Sequence, residues 1–317
     1  NATATNYGSI GIGYQSLYNL TSGTSNIAIG EAGKSITTGN YNIAIGYEAL
    51  NSQTTSPNSV AIGYRAGKAN TAYTSSVFIG FEAGIAATSG GGNVMIGHKA
   101  GHSVTSPDNV TFVGNEAGQY VTTGHSNIGV GFRACRGNAS DPITGWGNAG
   151  FGRGTFQNIT SGEKNFAGGT YAGHSTTTGT ENTFLGYAAG YDHTTGDNNT
   201  LLGHDAGRSD SPSGTVTTAD NVVCLGNNFV TNLYCADTSI SSSDSRDKTD
   251  VTNFTHGLNW VNQLNPITYR WDKRSWYDDN TPDGSKKRNK KHIGFLAQDV
   301  LAIEGNPTDK DDMLVVN

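Results

Sequence analysis

The feature that most constrains the fold is a short phrase that recurs along most of the chain: asparagine, an apolar triplet and glycine. It is clearest at residues 42–46, 93–97 and 182–186. If this glycine anchors each repeat, most neighbouring anchors lie 17 residues apart. Such a period predicts a solenoid, in which each repeat forms one coil that buries apolar surface against the next. The anchors are Gly13, Gly30, Gly46, Gly63, Gly80, Gly97, Gly114, Gly131, Gly152, Gly169, Gly186, Gly203 and Gly226.

The composition of the chain changes near residues 241–243. Of the 44 glycines, 40 precede Asp244, whereas the final 74 residues carry 23 of the 46 charged residues. This shift predicts a repetitive region over residues 1–233, a linker over 234–243 and a different, smaller module over 244–317.

Each coil contains a three-residue alternation typical of a short strand. The residue before the anchor and the residue two positions earlier are apolar in most coils, as at Ile43 and Ile45, and we predict that both point inward. The residue between them is small in some coils, such as Ala44, and bulky in others, such as Phe78. We predict that it lies on a close-packed outer face, against a neighbouring chain.

Two further positions in the coil have a physical interpretation. An alanine three residues after the anchor, usually followed by glycine as at Ala66 and Gly67, predicts a tight corner. Asparagine stands four residues before many anchors, as at Asn42 and Asn93. It either hydrogen-bonds from coil to coil or simply favours a turn, and the residues alone leave both interpretations open.

The residue two positions after the anchor changes charge sign from coil to coil. Opposite charges on stacked coils attract across one strand spacing, so we predict a surface ladder of ion pairs that fixes the register of the stack. We do not interpret its glutamates as catalytic acids. The ladder runs Glu48, Arg65, Glu82, Lys99, Glu116, Arg133.

Charge, cysteine and histidine content bound the remaining functions. A net charge of -6 argues against broad nucleic-acid binding, and no apolar run is long enough to cross a membrane. Three cysteines without metal spacing indicate free thiols in a reducing cytoplasm. The histidines of the coils lack ligand spacing, so we predict solvated turn residues, and we predict no metal and no cofactor. These are His98, His102, His125, His174, His193 and His204.

Over residues 9–229 the repeated phrase resembles the head repeats of trimeric autotransporter adhesins of the YadA type, and related repeats of bacteriophage tail fibres. That resemblance implies a left-handed parallel β-roll that assembles as a homotrimer. The expected fold is therefore mostly β, a parallel β-roll of coils of about 17 residues, followed by a small α+β module.

The residues after the coils resemble a second family, the intramolecular chaperone of endosialidase-type phage tailspikes, peptidase S74. The resemblance rests on the runs at 243–248, 265–271 and 294–300, with a helical pattern at 257–264 between them. It implies that 244–317 is a partial intramolecular chaperone. It also implies that Ser243 is the nucleophile of self-cleavage, that Lys248 is its general base, and that the cut falls between Ser242 and Ser243.

Together the two resemblances favour a homotrimeric tail fibre of a virion, assembled in the host cytoplasm. Its expected partners are two further copies of itself, other phage tail proteins, and a host surface glycan or protein receptor. No external substrate is expected. A bacterial trimeric surface adhesin is the main alternative, and it would need a secretion signal and a membrane anchor in the flanking sequence. A polysaccharide-degrading spike would need a carboxylate pair outside the repeat, and we find none.

Overall fold

The computed structural model describes residues 8–72, 74–232, 257–270, 272, 281–287, 289 and 291–303. The chain divides into two compact units, Asn1–Tyr234 and Cys235–Asn317. The predicted linker at 234–243 lies outside the described residues.

The first unit is a parallel β-solenoid with one three-residue strand in each coil. All its strands pair in chain order in one parallel sheet of 13 strands, in which Ile43 lies beside Val60 and Ile45 beside Ile62. The predicted mostly β fold of coils of about 17 residues is confirmed. The strands are β1 (Ile10–Ile12), β2 (Ile27–Ile29), β3 (Ile43–Ile45), β4 (Val60–Ile62), β5 (Val77–Ile79), β6 (Val94–Ile96), β7 (Thr111–Val113), β8 (Ile128–Val130), β9 (Ala149–Phe151), β10 (Phe166–Gly168), β11 (Thr183–Leu185), β12 (Thr200–Leu202) and β13 (Val223–Leu225).

The predicted inward and outward positions of the strands are wrong, and the structure reverses them. The central residue of each strand from β2 to β13 is buried, as at Ala44 and Phe78, whereas the residues on either side point outward. The physical reason is the length of the strand. Successive side chains alternate between faces, so a three-residue strand directs its centre to one side and both ends to the other.

Size variation at the central position is balanced inside the coil. Where the central residue is large, the residue four after the anchor is glycine; where it is small, that residue is often bulky and reaches inward. Interiors pack at nearly constant density, so one side chain fills the volume that the other leaves. The large–glycine pairs include Phe112 with Gly118, Phe184 with Gly190 and Leu201 with Gly207, and the small–bulky pairs are Ala44 with Leu50, Gly129 with Cys135 and Gly150 with Phe156.

Each anchor glycine from Gly13 to Gly186 is required by its backbone and by the coil above it. Gly152 has a φ of +132°, and a Cβ there would lie 2.8 Å from the carbonyl oxygen of Gly169, the anchor of the following coil. Side chains other than hydrogen are strained in this conformation. The anchors therefore form a column in which backbones touch directly.

The asparagines four residues before the anchors form a buried ladder, which confirms the first of the two interpretations. In coils 9 and 10, the Asn165 backbone N–H and Nδ2 both donate to Asn148 Oδ1, at 3.2 and 2.9 Å, while Asn165 Nδ2 also donates to the Gly179 carbonyl at 2.7 Å. Buried amides need such partners. Serine or valine interrupts the ladder in some coils, at Ser59, Ser76, Val110 and Val222.

The second unit contains α1 (Gly257–Val261), β14 (Ile267–Tyr269), β15 (His292–Gly294) and α2 (Ala297–Ile303). Strands β14 and β15 pair antiparallel, with Thr268 beside Ile293. The sequence predicts a helix that ends before Pro266, then a strand, then a strand that turns into a helix. All three are confirmed in the described residues.

Candidate interaction surface

The outward residues of the thirteen strands form a continuous apolar surface, which we call the outer strand face. It comprises the first and third residues of β1–β13, and none of these positions carries a charge. Besides aliphatic and aromatic side chains it contains only Gly168 and three threonines, Thr111, Thr183 and Thr200.

The size of the outer strand face is that of a protein interface. Twelve strand spacings of about 4.8 Å give a length of about 58 Å, and two outward side chains give a width of roughly 12 Å. The resulting area of roughly 700 Å² compares with about 800 Å² per partner in a stable complex. Its residues remain accessible, with Leu185 46% and Val223 70% exposed. Apolar patches of this size mark interaction sites.

A column of stacked aromatic rings lies one residue beyond the anchors. The centroids of Tyr47 and Tyr64 are 5.5 Å apart, those of Tyr64 and Phe81 5.1 Å, and those of Phe81 and His98 5.3 Å. All three pairs are nearly parallel. Such stacking stabilises one coil on the next, because each ring covers a face of its neighbour.

The predicted charge ladder is present only in part. Glu48 pairs with Arg65 at 2.7 Å and Glu116 pairs with Arg133 at 2.7 Å, whereas Lys99 lies 3.9 Å from Glu82. In the intervening gaps, Arg65 to Glu82 and Lys99 to Glu116, these described residues form no ion pair within 4.0 Å. The continuous ladder is therefore wrong, and the contacts group the coils in pairs.

Each glutamate of the ladder is held by two groups, the second of which the sequence analysis missed. Lys68 lies 2.8 Å from Glu48, His102 lies 3.6 Å from Glu82, and Arg136 lies 3.1 Å from Glu116. This second partner stands five residues after its anchor, at a regular interval that could have revealed it. We call each such group of three side chains an ion clamp.

The clamps change the acidity of their glutamates. The hydrogen bond from Lys68 lowers the pKa of Glu48, aided by the hydrogen bond from Arg65. Burial would raise the pKa of Glu116, but the hydrogen bond from Arg133 and the charges of Arg133 and Arg136 outweigh it and lower that pKa. Both effects favour the ionised glutamate within the clamp.

One histidine contradicts the prediction of solvated turn residues. The His193 side chain is fully buried, with Nδ1 3.2 Å from Thr176 Oγ1 and Nε2 3.3 Å from Asn199 Nδ2. Burial lowers the pKa of His193 to about 4, so the ring is neutral at pH 7. Because His193 stands at the coil position that Val104 fills elsewhere, the interior position could have been recognised from the repeat.

Two of the three cysteines lie among the described residues. Cys135 and Cys224 are free and buried, which confirms the predicted free thiols for these two. Burial raises the pKa of the Cys135 thiol to about 12, so it stays protonated and unreactive. Cys235 lies outside the described residues.

The predicted cleavage site lies outside the described residues. These residues are Ser242, Ser243 and Lys248. The described part of the second unit buries Trp260 and Val300, while Leu258 is 77% and Ile293 81% exposed. This small unit therefore leaves large apolar side chains accessible, as the outer strand face does.

Residues 243–308 match the family described as Peptidase_S74, chaperone of endosialidase. No curated protein and no solved structure matches the chain. The chain thus carries a chaperone-of-endosialidase domain downstream of a β-solenoid region. Within the described residues, no helix is long and apolar enough to span a membrane, and no group of three or more His, Cys, Asp or Glu side chains could hold a metal ion.

Proposed function

We propose that this chain is a homotrimeric bacteriophage tail fibre or spike component, in which the β-solenoid is the shaft and the C-terminal domain is its folding chaperone. It would be assembled in the host cytoplasm and incorporated into the virion beside other tail proteins. The observation that carries this proposal is the uncharged outer strand face, which extends along all thirteen coils.

The outer strand face supports self-association because nothing within the first unit covers it. Its area matches one side of a stable interface, and its apolar side chains gain free energy only when another surface removes them from water. A surface that repeats with the coil period fits a partner with the same period, which a second copy of this chain supplies. The number three comes from the resemblance to trimeric repeats and to the chaperone family.

A C-terminal chaperone supports the folding of such a shaft. Every coil pairs with its neighbour through parallel strands, which form slowly, and each partly formed stack ends in an exposed strand edge. A module that first brings three C-termini together would start all three stacks from the same coil. The match at residues 243–308 supports this role.

Self-cleavage would then release the chaperone. Neutral Lys248 would take the hydroxyl proton of Ser243 as its Oγ attacks the carbonyl carbon of Ser242. The peptide C–N bond breaks, the Ser243 amine takes a proton from the lysine, and an ester remains. Water hydrolyses this ester to give a carboxyl group on Ser242 and restores the Ser243 hydroxyl.

Host attachment is assigned to the flanks of the shaft that lie outside the outer strand face. Two insertions emerge there. Ser140 and Asp141 are exposed in the first, and Ser209 and Asp210 are exposed in the second. Loops on a rigid scaffold commonly carry binding residues, and a surface glycan or protein of the host is the expected receptor.

The mass of the assembled particle tests the proposal. Native mass spectrometry of the full chain should give three copies, and Ile79→Glu should reduce the mass to one copy, because it places a charge within the outer strand face. Thr55→Glu, at an exposed position away from this face, is the matched control and should stay trimeric. A monomeric wild-type chain would overturn the proposal.

A further inference from the structure

Self-association through the outer strand face raises the problem of register. Strands β4, β5 and β6 present the same pair of outward residues, valine and isoleucine. If a neighbouring copy slides by one coil along these strands, the same side chains meet again. Only one unpaired coil at each end opposes the slip. A trimer therefore needs a non-repeating feature on the face if the shaft itself is to hold its register.

Coils 9 and 10 supply such a feature. On β9 the outward residues are Ala149 and Phe151, and on β10 they are Phe166 and Gly168. The order of small and aromatic residues is thus inverted between adjacent strands. Phe166 lies beside Ala149, Gly168 lies beside Phe151, and the two phenyl rings are 6.0 Å apart.

Glycine at position 168 is not required by the chain itself. Its φ lies outside the left-handed region, and a Cβ would meet Leu185 Cδ2 at 3.4 Å, an ordinary van der Waals distance. In every other strand the corresponding third residue is isoleucine, valine, leucine or phenylalanine. Gly168 therefore leaves a recess in the outer strand face that no side chain of its own coil fills.

We propose that these four residues form a register key between copies of the chain, an inference that rests on the proposed self-association. In a rotationally symmetric trimer, each contact joins unlike surfaces, so the first-residue column of one copy meets the third-residue column of the next. With the coils in parallel register, Phe166 of one copy then enters the recess at Gly168 of the next. In the coil before, Ala149 meets Phe151.

A slip of one coil in either direction destroys this fit. In one direction Phe166 meets Phe151 of the next copy, and two rings occupy the space of one. In the other direction Phe166 meets Leu185 while Ala149 meets Gly168, which leaves a void. Overpacking and cavities both destabilise packed interfaces. The key thus penalises both slips, and it would hold the register after the chaperone has been released.

Paired cysteines report the register, because a disulfide requires Cα atoms about 4.4 to 6.8 Å apart and a slip moves them by about 4.8 Å. In a Cys235→Ser background, V60C with I62C reports chains in register. V77C with I62C and V60C with I79C report slips of one coil in the two directions. Covalently joined chains are quantified on a denaturing gel after mild oxidation.

Two sets of four substitutions test the key in this assay. The first, A149V, F151I, F166V and G168I, converts coils 9 and 10 to the valine–isoleucine pattern. The second, A149F, F151A, F166G and G168F, inverts both coils and preserves the match of small with aromatic residues. We expect the wild type and the inverted variant to cross-link in register. The uniform variant should give at least a fivefold increase in slip products. G168V alone, which only fills the recess, should shift the products in the same direction.

The outcomes separate the key from the trimer. A uniform variant that remains trimeric and in register, together with an unchanged G168V, would overturn the key and leave self-association intact. A wild-type chain that is monomeric and forms no intermolecular cross-link in any reporter would overturn the proposed function, and the key with it.

Discussion

The ring of Phe112 occupies the space that a side chain at Gly118 would need: a Cβ on Gly118 would lie 2.5 Å from the ring carbons Cγ and Cδ2. Both residues are fully enclosed in the same coil, and Gly118 has a φ of +60°. The same relationship links Phe184 with Gly190, where a Cβ would lie 2.6 Å from the ring. The interior of the solenoid is therefore filled by pairs of positions and not by single residues.

Exchange of the two sizes should be tolerated better than either change alone. Phe112→Ala should destabilise the shaft by about 3 to 5 kcal/mol through the cavity it leaves, and Gly118→Leu by about 1 to 3 kcal/mol through overpacking. The double variant reproduces the arrangement of Ala44 and Leu50, so we expect it to be more stable than the sum predicts. Chemical denaturation of all four proteins measures this coupling. Additive losses would show that the two positions pack independently.

An anchor glycine should be far more sensitive than a glycine of similar conformation without a close neighbour. Gly152→Ala places a Cβ 2.8 Å from the Gly169 carbonyl oxygen, which only a shift of the coil can relieve. Gly147 is the control, because it also has a positive φ but its nearest heavy atoms are 3.8 Å away. We expect Gly147→Ala to cost about 1 kcal/mol and Gly152→Ala several times more. Thermal unfolding curves compare the two, and equal losses would contradict the role of the anchor column.

An ion clamp should contribute modestly and depend on salt. Glu116→Gln removes the charge held by Arg133 and Arg136, and we expect a loss of about 1 kcal/mol or less at low ionic strength. The loss should shrink at high salt, where such pairs are screened. Glu163→Gln is the control, since Glu163 has no ion pair within 4.0 Å among the described residues. Unfolding of each variant at low and high salt gives the measurement, and identical salt dependence in both would argue against the clamp.

Buried His193 should make the shaft less stable in mild acid. Its pKa is about 4 in the folded chain and 6.5 ordinarily, so between these values the unfolded chain binds the additional proton. Stability is therefore lost as the pH falls from about 6.5 towards 4, by up to about 3 kcal/mol. Asp197 and Asp220 favour the protonated ring only weakly against burial.

His193→Val tests this, because Val104 fills the same coil position elsewhere. The variant should lose less stability between pH 7 and pH 4.5 than the wild type does. Hydrogen exchange or urea unfolding at both pH values measures the difference. If the two proteins show parallel pH profiles, His193 is not the group that titrates.

Self-cleavage should require both Ser243 and Lys248. Expression of the full-length gene should give two fragments whose masses place the cut between Ser242 and Ser243. Ser243→Ala and Lys248→Ala should remain whole, and Lys248→Arg should as well, because arginine does not lose its proton. Ser242→Ala keeps the nucleophile and is the matched control, expected to cleave. An intact wild-type chain would show that the domain is a permanent trimerisation cap.

The sequence by itself determined the solenoid, its period and the nature of the last module. Anchor glycines at a fixed interval admit few folds, because each marks a place where only a residue without a Cβ fits against the next coil. The helix and strand pattern around Pro266 and Tyr269 was equally local, since strand alternation and a helix stop depend on near neighbours alone.

Only the tertiary structure decided which face of the strand is inside. The alternation of Ile43, Ala44 and Ile45 is equally compatible with either side, since it states that the faces differ and not which one is enclosed. The closure of the coil resolves it, because the enclosed space holds a single residue from each strand and balances its volume against a residue six positions later, as Ala44 does with Leu50. The outer strand face and its key follow from that choice, and both depend on three-dimensional neighbours that no single repeat specifies.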